Sequence, residues 1–133
     1  MKLRKTAHYA FIGLICVMCS VANASAKWES VTLNDLGLFY IDPKSITEED
    51  GRKWVWTALD YKKTQSTGDG KPYLSTHSQI QLNCKLKMAR VMHVTHYTGP
   101  MLTGQVVSRQ GMLHEWLNIE PTSPIQKIAR RIC

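Results

Sequence analysis

The four cysteines of the chain divide into two pairs that have different surroundings. Cys16 and Cys19 lie in an N-terminal apolar run that has the composition of an export signal. Cys84 and Cys133 are the only cysteines in the remainder, and Cys133 is the last residue of the sequence. In an exported small domain, two cysteines indicate one disulfide formed in an oxidising compartment. The sequence therefore predicts a Cys84–Cys133 disulfide, which leaves no thiol for nucleophilic chemistry.

Residues 1–26 are predicted to be a cleaved signal peptide. An apolar stretch over 10–20, too short to cross a bilayer comfortably, follows a basic start and precedes small residues at 22, 24 and 26. Cleavage between Ala26 and Lys27 leaves residues 27–133 as a single domain with no transmembrane segment; an uncleaved anchor is the alternative. A lipid-modified cysteine usually follows a small residue, but Met18 precedes Cys19, so we do not expect a lipid anchor. The basic start consists of Lys2, Arg4 and Lys5.

The charge of the chain after cleavage is ordinary. The segment 1–26 carries three of the 17 lysines and arginines and none of the 10 acidic residues, so residues 27–133 have a formal net charge of +4 instead of +7. This charge gives weak attraction to anionic surfaces and does not indicate a nucleic-acid partner.

Short segments rich in β-branched and aromatic residues, separated by turn residues, predict an α+β fold. We expect a mostly antiparallel sheet of about six strands, with one C-terminal α-helix packed on it and tied to it by the disulfide. The segment 44–51 is expected to be a turn or a single helical turn, and 64–71 a flexible loop. The strand candidates are 28–33, 38–41, 53–62, 73–84, 87–98, 105–109 and 113–119.

The C-terminal helix has the clearest local signals. Ser123 is a predicted N-cap, Pro124 takes the first helical position, and Gln126 completes a capping box. Apolar residues at 125, 128, 129 and 132 form one stripe, which the disulfide would hold against the strand face that bears Cys84. The basic residues off the stripe favour a solvated face suited to the helix dipole, with a ligand site as the alternative. These basic residues are Lys127, Arg130 and Arg131.

The strand predicted over 53–62 is apolar on both faces. Trp54 and Trp56 point to one side, whereas Val55 and Leu59 point to the other. A strand with one wet face should alternate between apolar and polar residues. We therefore predict that the Trp54/Trp56 face binds a partner, a second copy of the chain being one candidate; the alternative is that the helix covers this face.

The sequence gives no positive indication of catalysis. His93 and His96 would lie on opposite faces of a strand, so they do not predict a metal site. Consecutive carboxylates at 48–50 precede Gly51 and indicate a solvated turn rather than an acid–base pair. Neither a nucleotide-binding nor a hydrolase motif is present. We expect a protein that is not an enzyme and has no metal or cofactor.

Taken in order, these features resemble the surface-adhesin protein E family of bacterial exported proteins. The resemblance implies an antiparallel sheet with a disulfide-tied C-terminal helix, and an outer-membrane adhesin of a Gram-negative bacterium that binds host vitronectin, laminin and plasminogen and can dimerise. The residues that carry it are Trp28, Phe39-Tyr40-Ile41-Asp42, Ser45-Ile46, Val55-Trp56, Leu59-Asp60-Tyr61, the strand 78–84, Thr98-Gly99, Trp116, Pro121-Thr122 and Ile132-Cys133.

Two functions follow as hypotheses. The first is an adhesin-like protein at the cell surface that binds host extracellular-matrix or serum proteins. The second, prompted by the missing lipid-attachment signal, is a soluble periplasmic domain that binds another envelope protein.

Overall fold

The computed structural model describes residues 27–111 and 115–133, in which eight strands form one antiparallel sheet and one α-helix follows. The predicted signal peptide, and part of the strand predicted over 113–119, lie outside the described residues. The strands are β1 (Glu29–Leu33), β2 (Gly37–Ile41), β3 (Thr47–Glu49), β4 (Arg52–Ser66), β5 (Pro72–Asn83), β6 (Met88–Tyr97), β7 (Val106–Gly111) and β8 (Leu117–Asn118); the helix is α1 (Pro124–Ile132), and short 3₁₀ turns cover Pro43–Ser45 and Pro100–Leu102.

The long strands β4 and β5 form the centre of the sheet. The main order is β1-β2-β4-β5-β6-β7, with β3 paired to β4 and β8 paired to β6. In the central register Val55 lies opposite Ile80, and Trp54 lies opposite Gln81. The predicted α+β fold, an antiparallel sheet with a C-terminal helix, is therefore confirmed.

The segment 44–51 is more ordered than a simple turn. After the 3₁₀ turn, β3 pairs with the start of β4 in a tight hairpin. Its turn is Asp50-Gly51, whose φ angles are 51° and 71°. Positive φ at both positions is what a type I′ hairpin turn requires, and Asp-Gly supplies it at low cost. The expected helical turn is therefore present as the 3₁₀ turn Pro43–Ser45, but the rest of the segment forms a hairpin instead of a simple turn.

The expected loop over 64–71 is also shorter than predicted, because β4 continues through Ser66. Its pairing with β5 is irregular between Asp60 and Gln65 and resumes where Gln65 lies opposite Tyr73. The chain reverses through Thr67, whose backbone amide donates to the carbonyl of Lys71.

The core lies between α1 and one face of the sheet, which we call the helix face. Ile128 of α1 is fully buried against Val55 and Leu82, which are also fully buried. Each such side chain contributes roughly 1.5–3 kcal/mol by leaving water. The remaining buried members of this cluster are Ile41, Ile80, Ala129 and Ile132.

Both ends of α1 are fixed as the sequence predicts. The Ser123 hydroxyl accepts a hydrogen bond from the Gln126 amide at 3.2 Å. At the other end, the Cys84–Cys133 disulfide is formed, with the two Cα atoms 5.6 Å apart. Lys53 donates to the carbonyl of Ile132 at 2.6 Å, so a positive charge also lies at the helix C-terminus.

Candidate functional site

The helix covers the Val55 side of β4, so Trp54 and Trp56 lie on the opposite face of the sheet. This follows from the register, since Val55 pairs with core residue Ile80 and its neighbours must point the other way. The alternative that α1 covers the Trp54/Trp56 face is therefore wrong. Both side chains are only partly buried.

All four tryptophans of the chain lie on this second face, which we call the tryptophan face. Trp28 packs there on His77, which pairs across strands with Ala58. Trp116 contacts Arg90, which pairs with Gln81 in the same row as Trp54. Each of the four indoles remains partly exposed. The sequence order alone did not reveal this grouping, because Trp28 and Trp116 lie outside the central strands.

His77 is at the centre of the aromatic packing. The ring of Trp56 stacks on it with centroids 4.3 Å apart, and Trp28 meets it edge-on at 5.6 Å. The Trp56 ring also lies nearly parallel to the His93 ring, with the two centroids 6.1 Å apart. The imidazoles of His77 and His93 thus hold Trp56 in place.

The His77 imidazole is adapted to the neutral state. Its Nε2 atom is buried and has no hydrogen-bond partner among the described residues. Burial lowers the pKa of His77, and the charge of Lys27 lowers it further, while Asp42 acts in the opposite direction. Lys27 itself lies 3.7 Å from the Asp42 carboxylate. The start of the described chain is therefore linked to the tryptophan face by both packing and charge.

One end of the tryptophan face is positively charged. The guanidinium of Arg90 lies 4.6 Å from the Trp116 ring centroid, and that of Arg52 lies 5.7 Å from it. These are cation–π distances. The Nε of Arg90 also donates to Oε1 of Gln81 at 2.7 Å, and Gln81 is buried. Indoles and guanidiniums are the groups most often responsible for binding energy at protein interfaces.

The other end of the tryptophan face is closed by the loop 99–104. The buried Ser75 hydroxyl donates to the Gly99 carbonyl at 2.6 Å and accepts from the Leu102 amide at 2.8 Å. The Asp60 carboxylate accepts from the Met101 amide at 2.9 Å. These bonds hold Met101 and Leu102 at positive φ angles of 47° and 62°. Ser75 therefore has a structural role, and its hydroxyl is not available as a nucleophile.

The basic residues of the helix are mostly engaged within the domain. Lys127 donates to the Thr32 hydroxyl at 2.8 Å, and Arg131 pairs with Glu29, so both tie α1 to β1. Arg130 is exposed and forms no ion pair with the described residues. The helix cations lie on the side of the domain away from Trp54 and Trp56, so the structure does not bring the two predicted partner-binding groups together.

The histidines of β6 are separated by the sheet, as predicted. His93 is on the tryptophan face beside Trp56, whereas His96 is on the other face, where its ring stacks on Tyr73 at 4.0 Å. The Nδ1 atom of His96 is 2.8 Å from the Thr76 hydroxyl, and burial lowers the pKa of His96. Within 27–111 and 115–133, no group of three or more histidine, cysteine or carboxylate side chains is placed to hold a metal ion.

A cavity of about 390 Å³ opens on the helix face beside the start of α1. Its walls are mainly apolar side chains of β5, β6 and the segment before α1. The sequence does not predict this cavity, because its walls come from separate segments. Leu117, which lines it, is 65% exposed. The apolar lining consists of Ile80, Ala89, Val91, Val94, Leu117, Ile119 and Ile125.

Taken together, these observations define a small disulfide-tied β-sheet domain with one partly exposed aromatic and basic face. The sequence model of surface-adhesin protein E matches residues 28–133, and the chain therefore belongs to this family. The family is one of adhesin-like surface proteins, and the resemblance seen in the sequence is confirmed. None of the helices in the described part of the chain is long and apolar enough to cross a membrane.

Solved structures of protein E from Haemophilus influenzae share the fold. Crystal form II of that protein has a TM-score of 0.65 and 16% sequence identity over 81% of this chain and 87% of that one. Protein E from non-typeable H. influenzae has a TM-score of 0.59 and 15% identity over 82% of this chain and 76% of that one. No match was found among curated protein sequences.

Proposed function

We propose that this chain is an exported, non-catalytic binding protein that contacts host extracellular-matrix or serum proteins through its tryptophan face. The observation that carries the proposal is that all four tryptophans lie, partly exposed, on the sheet face opposite α1. A domain that only needed a core would bury these indoles under the helix, because large apolar side chains gain most from leaving water. Membership of an adhesin family supports binding rather than catalysis.

Within the face, Trp54 is the side chain we expect to contribute most to partner binding. Among the described residues it has no aromatic stacking partner, whereas Trp56 is held by His77 and His93. Trp54 lies one pair away from Arg90 in the sheet, with Gln81 between them. An indole that no other aromatic ring covers in the monomer has more surface to bury against a partner.

The direct test is to compare two substitutions that remove exposed apolar surface from different places. Trp54→Ser is expected to reduce affinity for immobilised vitronectin or laminin at least about tenfold, the usual effect at an interface hot spot. Leu86→Ser is the matched control, because Leu86 is 61% exposed in the β5–β6 turn. Surface plasmon resonance measures both, and thermal melts check that both variants fold. Equal binding by the parent and Trp54→Ser would refute the proposal.

A partner in the bacterial envelope is the second candidate, favoured by Met18 where a lipid-attachment signal would have a small residue. Cell fractionation separates the two: surface exposure supports the host-protein partner, and release by osmotic shock supports the envelope partner. N-terminal sequencing is expected to begin at Lys27 without lipid; a lipid-modified Cys19 would favour the surface.

A second copy of the chain is a further candidate partner for the same face. Sedimentation of the parent and of Trp54→Ser measures this, since a dimer through the tryptophan face would dissociate in the variant.

On the helix, we retain Arg130 as a peripheral contact, because Lys127 and Arg131 are already bonded to β1.

A further inference from the structure

The indole of Trp116 contacts two arginines that belong to separate strands. Arg52 begins β4 and Arg90 belongs to β6, with β5 between them. Their guanidinium carbons lie 5.7 Å and 4.6 Å from the same ring centroid, which brings them within about 10 Å of each other. We call Arg52 and Arg90 the arginine pair.

The arginine pair lacks a carboxylate partner in the described part of the chain. The ion pairs there involve Lys27, Lys53, Lys71 and Arg131, and neither member of the pair. Glu49 lies opposite Arg52 in the hairpin register without coming within ion-pair distance. Two like charges held on one ring repel each other, and an anion bound between them would remove that cost.

The donors of the pair remain available to a ligand. A guanidinium has five N–H groups, and a cation–π contact with an indole uses its charge without consuming these donors. For Arg90, the bond from Nε to buried Gln81 fixes the side chain and leaves the terminal nitrogens for another acceptor. A preorganised guanidinium loses little freedom when it binds a carboxylate bidentately.

We propose that the arginine pair binds two carboxylates of an acidic, extended segment in the protein partner. The inference rests on the proposed function and specifies the chemistry of that partner. In an extended segment, side chains two residues apart lie on one face and about 7 Å apart along the chain. This spacing lets each carboxylate meet one guanidinium, while Trp54, in the same row as Arg90, packs against the aliphatic parts of the segment. The modest charge of the domain favours a short acidic segment over nucleic acid.

A capped five-residue peptide tests the inference. It has glutamate at the second and fourth positions and threonine at the other three. In a nuclear magnetic resonance titration at low salt, it is expected to shift the Nε–H signals of the arginine pair and the indole N–H signal of Trp116. The same peptide with glutamines should leave these signals in place. Arg52→Gln and Arg90→Gln should each weaken binding of the peptide at least about fivefold. Arg90→Lys should weaken it as much as Arg90→Gln does, because lysine keeps the charge but loses the planar fork.

Arg109→Gln is the matched control, because Arg109 is an exposed arginine on β7 that makes no ion pair with the described residues. It should change peptide affinity less than about twofold. An equal loss in Arg109→Gln, or equal binding of the glutamine peptide, would overturn the inference. A sulfated disaccharide that shifts the same three signals at lower concentration than the peptide would overturn the choice of a protein segment.

The two proposals can fail separately. If Trp54→Ser abolishes binding of the whole partner protein while the arginine variants bind both partner and peptide normally, the tryptophan face stands and the arginine pair does not. If the peptide binds through the arginine pair but no protein partner depends on Trp54, the proposed function fails instead.

Discussion

Trp56 and His77 stack with their ring centroids 4.3 Å apart and 24° between the ring planes, on the sheet face that α1 leaves uncovered. The contact explains why a strand with two apolar faces needs no second helix. His77 offers Trp56 an aromatic surface within the sheet, and Trp28 covers the edge of the same imidazole. The tryptophan face is thus held by its own aromatic contacts and leaves Trp54 and Trp116 partly exposed.

The His77 contact makes stability depend on pH. Because burial lowers the pKa of His77 in the folded state, the unfolded chain takes up the proton first as the pH falls. The contribution of neutral His77 to the stability of the fold is complete above the unfolded pKa near 6.5. It is lost as the pH falls toward the lower pKa of the folded state. Thermal melts at about pH 8 and about pH 5 should show a smaller acid-induced loss for His77→Phe than for the parent. Part of the acid-induced loss of stability should remain in the variant, because burial also lowers the pKa of His96. Equal losses in the two proteins would contradict this assignment.

The disulfide should make a large contribution to the stability of so small a domain. The two cysteines are separated by 49 positions, for which the loop-entropy relation gives about 4 kcal/mol. Replacing both cysteines, as Cys84→Ser with Cys133→Ser, should lower the free energy of unfolding by about 2–5 kcal/mol in urea titrations. The parent treated with a reductant is the control and should lose a similar amount. A mass that shows two free thiols in protein taken from the periplasm would disprove the bond.

The two neighbouring tryptophans of β4 should respond differently to truncation. Trp56→Ala should cost about 2 kcal/mol, below the value for a fully buried indole, because Trp56 is partly exposed but stacks on two imidazoles. Trp54→Ala should cost less than about 1 kcal/mol, since no aromatic ring in the described residues packs on it. Chemical denaturation of the two variants measures the difference. A larger loss for Trp54→Ala would mean that Trp54 is structural and not a free contact surface.

The Ser75 hydroxyl should be needed for the loop 99–104. Ser75→Ala leaves the Gly99 carbonyl and the Leu102 amide without their buried partner, which should cost about 1–3 kcal/mol. Ser66→Ala, at an exposed position at the end of β4, should change stability by less than about 0.5 kcal/mol. Hydrogen exchange at the Leu102 amide localises the effect; unchanged protection there would show that the loop does not depend on this side chain.

Local signals in the sequence are enough to predict the elements at the end of the chain. Ser123, Pro124 and the apolar stripe define α1, and the two remaining cysteines define its covalent tie. The β3–β4 hairpin is also predictable, because Asp50-Gly51 is a strong type I′ turn signal, although the acidic run before it favours a solvated turn.

The organisation of the candidate site depended on contacts that no local pattern contains. A strand that is apolar on both sides gives no preference for the face that the helix covers, and only the register of Val55 with Ile80 decides it. Trp28 and Trp116 reach the tryptophan face from outside the central strands, through the sheet order and the pairing of β8 with β6. The arginine pair arises in the same way, since Arg52 and Arg90 meet only in the folded sheet.

Photo-crosslinking in intact cells tests the tryptophan face most directly. A photoreactive amino acid is placed at position 54 on the tryptophan face or at position 117 on the helix face, where the native leucine is 65% exposed. We expect a protein adduct from position 54, identified by mass spectrometry, and none from position 117. Adducts from position 117 alone would show that the partner binds the helix face, and would contradict the central claim.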